Sequence, residues 1–247
     1  MIPKIIHYCW FGRGPMPELA IKCIDSWKKY LPDYELRLWN EDTFDMNISP
    51  YVAEAYKAQK YAFITDYVRL WVLNNYGGIY MDTDVEVLKS FNDLLHLPAF
   101  TGYEKTKDTM FCPVTGIMAS EAGGIWVTEQ LEYYKKKHFI RYDGTFDTTP
   151  NTYTITSIML KNGFVIDGRY GVYKNNMHVF PSDYFCPKQW DTGEIVVTKN
   201  SYCIHHFSGS WKAHTVEYKK TPTQQFFYVL HSCWKAIKKP FKDLMNR

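Results

Sequence analysis

The chain has 247 residues, enough for one sizeable core with a small appendage, and its formal charge of +3 is too small to argue for nucleic acid as a partner. Aromatic residues make up 17%, with 20 Tyr and 8 Trp, a surplus that suits stacking on sugar rings or nucleobases and equally suits ordinary aromatic packing. Six cysteines lie scattered without a CxxC or Cys/His metal spacing, which fits reduced thiols in a cytosolic protein. No run approaches the roughly 18 apolar residues of a membrane span, and the N-terminus enters a strand without an apolar leader, so a cytoplasmic location is expected.

Pro3 to Trp10 has the alternation of a strand, and Gly12, Gly14, Pro15 and Pro17 break it into a loop. From Pro17 to Leu31 the apolar residues Ala20, Ile24, Trp27 and Leu31 recur at helical spacing, and Tyr34 to Trp39 follows as a second strand. Ser49-Pro50 opens another helix, Ala62 to Tyr76 forms a long apolar one, and Gly77-Gly78 stops it. Next comes a buried strand over 75–87 that carries Asp82 and Asp84 one residue apart, and therefore on one face. Strands are expected at Ala99–Gly102, Ile117–Ala119 and Ile195–His206, with helices over Gly124–Lys136 and Tyr153–Lys161. The order predicts an α/β fold with a mostly parallel central sheet in a single domain over residues 1–215. A basic amphipathic helical tail then fills 216–247. The charge is +6 from Lys212 onward and −3 before it. Lysines mixed with Phe226, Phe227, Trp234 and Phe241 suit either an anionic membrane surface or a helix packed on the domain.

Two carboxylates held side by side in a core repel unless a cation or a shared proton offsets them, and a hard divalent ion with oxygen ligands is the simplest remedy. The competing arrangement is a strand end whose acids face water. Upstream, Asp66 and Arg69 lie three apart on the long helix, spaced for a surface ion pair or for holding a ribose, sugar or phosphate. Downstream, His205-His206-Phe207-Ser208-Gly209-Ser210-Trp211 offers an imidazole ligand and a flat lid. In open sheets of this type ligands gather at the carboxyl ends of the strands, where Trp10, Asn40 and the aspartates would meet.

Four blocks occur in one order: Ile-Pro-Lys-Ile-Ile-His-Tyr-Cys-Trp-Phe-Gly at 2–12, Thr-Asp-Tyr-Val-Arg at 65–69, Gly-Gly-Ile-Tyr-Met-Asp-Thr-Asp-Val at 77–85, and His-His-Phe-Ser-Gly-Ser-Trp at 205–211. The pattern resembles the glycosyltransferases typified by capsular polysaccharide enzymes and Och1-type mannosyltransferases, and more distantly the glucosylating domains of large clostridial toxins. That resemblance implies a GT-A fold, a UDP- or GDP-sugar donor, Mn²⁺ or Mg²⁺, and retention of anomeric configuration. It implies an acceptor hydroxyl on a growing glycan, as in capsule, O-antigen or exopolysaccharide synthesis; the basic tail, which lies outside the resemblance, adds the expectation of a peripheral position on the inner face of the membrane, where lipid-linked oligosaccharide acceptors reside. By motif, Trp10 stacks on the base, Asp66 and Arg69 hold ribose and donor sugar, and Asp82 and Asp84 bind metal, Asp82 also reaching the ribose. His206, rather than His205, takes the third metal position, and Ser210 and Trp211 close over the diphosphate. Asp82, Asp84, Arg69 and Trp211 make the catalytic set. The chain departs from the pattern where relatives carry Gly-Pro near the sugar pocket; here the segment is Thr148-Thr149-Pro150-Asn151-Thr152. Two other readings compete: a non-catalytic nucleotide-sugar or glycan-binding module, and an aspartate-nucleophile phosphatase. The second lacks its downstream Asp-Asp or Gly-Asp-x-x-x-Asp motif after residue 90.

Overall fold

A computed structural model of the protein describes residues 1–105, 111–113 and 116–209. The chain starts with β1 (Ile5–Cys9), α1 (Glu18–Tyr30), β2 (Glu35–Trp39), α2 (Pro50–Lys57), α3 (Tyr61–Tyr76), β3 (Gly78–Met81) and β4 (Val85–Val87). It continues with β5 (Ala99–Lys105), β6 (Phe111–Pro113), β7 (Ile117–Ser120), α4 (Ile125–Glu132) and α5 (Asn151–Lys161). The last elements are β8 (Gly171–Tyr173), β9 (Met177–Phe180), α6 (Ser182–Phe185) and β10 (Cys203–His205). The main sheet runs β2-β1-β3-β7-β5-β9-β8, with β6 paired on β5. Five of its eight strands (β1, β2, β3, β5 and β9) point one way, so the expected α/β class with a mostly parallel sheet holds. The three reversed strands are β6, β7 and β8.

Alternation along the central strands divides the core into two layers. Ile79 and Met81 pack with Ile6, Trp27 and Phe100 on one side. Tyr80, between them, packs with Ile64, Val68 and Leu73 on the other. Ile117 and Met118 on β7 split in the same way. A strand buried on both faces needs apolar residues at every position, which is why Gly78–Met81 carries none that is charged.

The predicted strand over 75–87 is in fact two strands. β3 ends at Met81, residues 82–84 form a turn closed by Val85 N–H donating to Asp82 O at 3.0 Å, and β4 leaves the main sheet to pair antiparallel with β10. α1 fixes this second pair: Trp27 Nε1 donates to Val85 O at 2.6 Å and Val87 N–H donates to Ser26 Oγ at 2.8 Å. The predicted strand Ile195–His206 contracts to Cys203–His205, which pairs with β4, while Ile195 makes only an isolated bridge to Lys188. β6, β8, β9 and α6 were not expected, and each is only three or four residues long.

Gly77 caps α3 with φ 65°, as its place after the helix requires. Gly78 does more. Its φ is 110°, and a Cβ there would stand 2.7 Å from Ile5 O and 3.1 Å from His7 Nε2. His7 is wholly buried, accepts from Trp39 Nε1–H at 3.1 Å, and so donates from Nε2 to Gly77 O at 2.8 Å. Burial pushes that imidazole down to about 4, which keeps it neutral. Gly78→Ala is expected to cost about 2 kcal/mol or more in urea denaturation, through backbone strain and displacement of His7. Gly14→Ala, where an added Cβ meets nothing within 4 Å, serves as the neutral control.

Candidate active site

The turn at 82–84 and the end of β10 make the site. Antiparallel pairing sets His205 opposite Val85 and Ile204 opposite Glu86. Side chains alternate along a strand, so consecutive histidines at its end point apart. His205 Nε2 lies 3.4 Å from Asp84 Oδ1 and 4.0 Å from Asp82 Oδ2. His206 Nε2 instead sits 2.8 Å from Glu86 Oε2. The expected geometry is therefore corrected: the structure brings His205, and not His206, to the aspartates, because the register with β4 selects it.

Each aspartate has one oxygen engaged and one presented. Asp82 Oδ1 accepts from Tyr80 Oη–H at 2.6 Å and faces Arg69 Nη2 at 3.4 Å, leaving Oδ2 toward His205. Asp84 Oδ2 accepts the Ser208 backbone N–H at 2.7 Å, leaving Oδ1 toward His205. The loop after β10 folds over this residue, with His206 N–H donating to Asp84 O at 3.0 Å and Phe207 in the left-handed region at φ 55°. Burial opposes the charged form of Asp84, but hydrogen bonds from His205 and Ser208 outweigh it and hold the carboxyl below the usual range. Burial likewise opposes a charged His205, and Asp84, with Asp82 and Glu104, outweighs that and raises it.

Asp66 and Arg69 are not a surface pair. They are 8% and 5% exposed, beneath the turn rather than on a solvated face of α3. Arg69 Nη2 lies 3.2 Å from Asp66 Oδ1 as well as 3.4 Å from Asp82, and its guanidinium sits over the Tyr80 ring at 4.7 Å. Burial pushes the Asp66 carboxyl up to about 7 against the pull of Arg69. Arg69 thus ties the helix to the aspartate turn. Trp10 follows β1, whose parallel register with β3 carries it to the same end of the sheet. It is half-buried, and its indole N–H donates to Gly14 O at 2.7 Å. Asn151, at the start of α5, is buried, and its amide has no hydrogen-bond partner among the described residues. Ser210, Trp211 and the 216–247 tail lie outside the described residues.

The three presented atoms, Asp82 Oδ2, Asp84 Oδ1 and His205 Nε2, fit a divalent cation. One ligand atom from each of these residues lies within 4.8 Å of the other two. Two carboxylate oxygens with one imidazole suit Mn²⁺ better than the all-oxygen shell that Mg²⁺ favours. The Asp82 side chain is still 25% exposed, so further oxygens can approach. Tyr80 and Ser208 were not anticipated. The alternation of the strand could have indicated Tyr80, whereas nothing local marks Ser208. Gly116 was also missed: a Cβ there would stand 2.9 Å from the His205 ring, so a glycine lets the imidazole pack against the backbone. His205→Ala is expected to weaken Mn²⁺ binding at least about tenfold, and His206→Ala to leave it within about threefold, by isothermal titration.

Residues 17–101 match the glycosyltransferase sugar-binding region containing a DXD motif, and Asp82-Thr83-Asp84 is the single Asp-x-Asp in that span. The region reaches past β4 and so includes the whole aspartate turn, while His205 lies beyond it. Mannosyl phosphorylinositol ceramide synthase CSH1 of Saccharomyces cerevisiae is 32% identical over 58% of this chain and 38% of that protein. The chain therefore spans little more than a third of the length of that relative. An uncharacterized glycosyltransferase, L373, of Acanthamoeba polyphaga mimivirus is 26% identical over 87% of this chain and 85% of its own. Among solved structures the PaToxG glycosyltransferase is similar with a TM-score of 0.45 and 20% identity, over 65% of this chain and 69% of that one.

Proposed function

We propose that the chain is a divalent-metal-dependent, retaining glycosyltransferase of GT-A type that moves a sugar from a UDP- or GDP-sugar to a hydroxyl. The observation that carries this reading is the convergence of Asp82 Oδ2, Asp84 Oδ1 and His205 Nε2 on one space, with both aspartates inside the span that matches the DXD sugar-binding region. A divalent cation bound there supplies positive charge to the leaving diphosphate. The chain's own residues do the rest. Asp84 is pinned by the Ser208 N–H and Asp82 by Tyr80 and Arg69, so both presented oxygens are held before a donor arrives. Asp66 and Arg69 orient the ribose and the sugar, Trp10 stacks on the base, and Ser210 and Trp211 exclude water from the competing hydrolysis. His205, in place of His206, completes the ligand set.

The names of the yeast relatives favour a mannosyl donor and an acceptor hydroxyl on a lipid-linked or glycan substrate. Among the described residues no helix is long and apolar enough to cross a membrane. A cytoplasmic enzyme whose basic tail meets anionic lipid would reach such an acceptor. Mn²⁺ is favoured over Mg²⁺ by the imidazole ligand. A thermal-shift panel of UDP- and GDP-sugars, with Mn²⁺ and then with EDTA, tests the reading. One nucleotide sugar should raise the midpoint in Mn²⁺ alone, and transfer from it should retain the anomer by proton NMR. No stabilisation by any donor, or full turnover in EDTA, would overturn it.

A further inference from the structure

We propose that His205 also belongs to a second cation site, built with Glu104 and Cys186 and selective for zinc over the hard ions. A carboxylate oxygen of Glu104, the Cys186 sulfur and a ring nitrogen of His205 all lie within 4.8 Å of one another. The three come from separate elements: β5, the residue after α6, and the end of β10. Cys186 is 2% exposed, and its thiol makes only a weak contact with Lys188 O, at 3.8 Å. An independent observation points to the same place. His205 Nε2 faces the aspartates, but Nδ1 is buried with no hydrogen-bond partner among the described residues. Buried polar atoms are rarely left so. Gly116 contributes by having no side chain: a Cβ there would stand 2.9 Å from Nδ1.

Thiolate, imidazole and carboxylate form a zinc donor set, whereas Mn²⁺ and Mg²⁺ prefer the oxygen-rich aspartate pair. At zinc–ligand distances of about 2.0–2.3 Å, neighbouring ligand atoms stand roughly 3.3–3.8 Å apart, so any pair now standing farther apart must close on the ion. Binding displaces the Cys186 proton to solvent, and the thiolate sulfur donates its pair to the metal. Zinc held here draws the imidazole toward Cys186 and away from Asp82 and Asp84. It therefore inhibits metal-dependent transfer, a consequence that alone rests on the transferase reading.

Cobalt(II) titrated into the full chain, anaerobically and with excess Mg²⁺, tests the site without any sugar donor. The expected result is one equivalent of a near-ultraviolet thiolate-to-cobalt absorption band, displaced by one equivalent of Zn²⁺. The band should vanish in Cys186→Ser, need at least tenfold more cobalt in Glu104→Gln, and persist in Cys203→Ser and Asp84→Asn. Should Cys186→Ser fail to fold, Glu104→Gln and Cys203→Ser decide the matter between them. Absence of a thiolate band in the parent chain, its survival in folded Cys186→Ser, or full affinity in Glu104→Gln overturns the proposal. Loss of the band in folded Asp84→Asn does so too, since the ion would then depend on the aspartate pair. Because no nucleotide sugar enters the assay, a failed donor screen leaves the result intact.

Discussion

On the proposed function, Asp84→Ala is expected to lower the transfer rate by about a thousandfold or more and to remove its response to Mn²⁺. Asp84 has two jobs: Oδ1 faces His205 at 3.4 Å, and Oδ2 receives the Ser208 N–H at 2.7 Å. Its loss deprives the cation of a negative ligand and frees the loop that folds over it. Metal stabilisation of a leaving group contributes several kcal/mol, and each 1.36 kcal/mol is tenfold in rate, so three decades is the expected scale. Asp84→Asn separates the two jobs, because its amide oxygen still accepts from Ser208 while the charge is gone. It should keep the parent's melting point more closely than Asp84→Ala and lose nearly as much activity. Initial rates at saturating donor across a Mn²⁺ series, with melting curves alongside, make the measurement. Retention of a tenth of the parent rate with an unchanged Mn²⁺ response would sink the prediction.

Arg69→Met costs about 3–5 kcal/mol of stability, the scale for stranding buried charges by deleting their partner. The guanidinium is 5% exposed and serves Asp66 at 3.2 Å and Asp82 at 3.4 Å. Without it Asp66, already pushed up by burial, must be protonated, and the Asp82 carboxylate keeps only the Tyr80 hydroxyl and the more distant His205. Asp66→Asn in the Arg69→Met background should recover part of the loss, because the cost of protonating Asp66 is then gone. Urea denaturation of the two single variants and the double reads both effects. A cost below about 1 kcal/mol for Arg69→Met, or no recovery in the double, would show that the bridge contributes little.

The sequence carried the first 90 residues well because each element there has a strong local cause. Helical periodicity marks α1 and α3, Ser49-Pro50 opens α2 with the Ser49 hydroxyl accepting from Val52 N–H, and Gly77 closes α3. It also placed Asp66 and Arg69 on one face of a helix, but which way that face pointed depends on tertiary packing. The continuous strand through the aspartates was misjudged because apolar residues on both sides of 82–84 mimic one strand; two different sheets bury them. His205 was passed over for His206 because only the register of β10 on β4, fixed by partners 120 residues apart, distinguishes them. β8 and β9 escaped notice for another reason. They are joined by the three residues Lys174, Asn175 and Asn176, the first two left-handed, without the glycine that ordinarily marks such a turn.

The small antiparallel pair of β4 with β10 bears on how the molecule comes into being. Among the described residues the eight-stranded sheet contains nothing later than Phe180, so it can assemble before β10 has emerged from the ribosome. The imidazole arrives only when residue 205 emerges and docks beside β4. Until then the nascent polypeptide has its scaffold but lacks the imidazole of the candidate cation site.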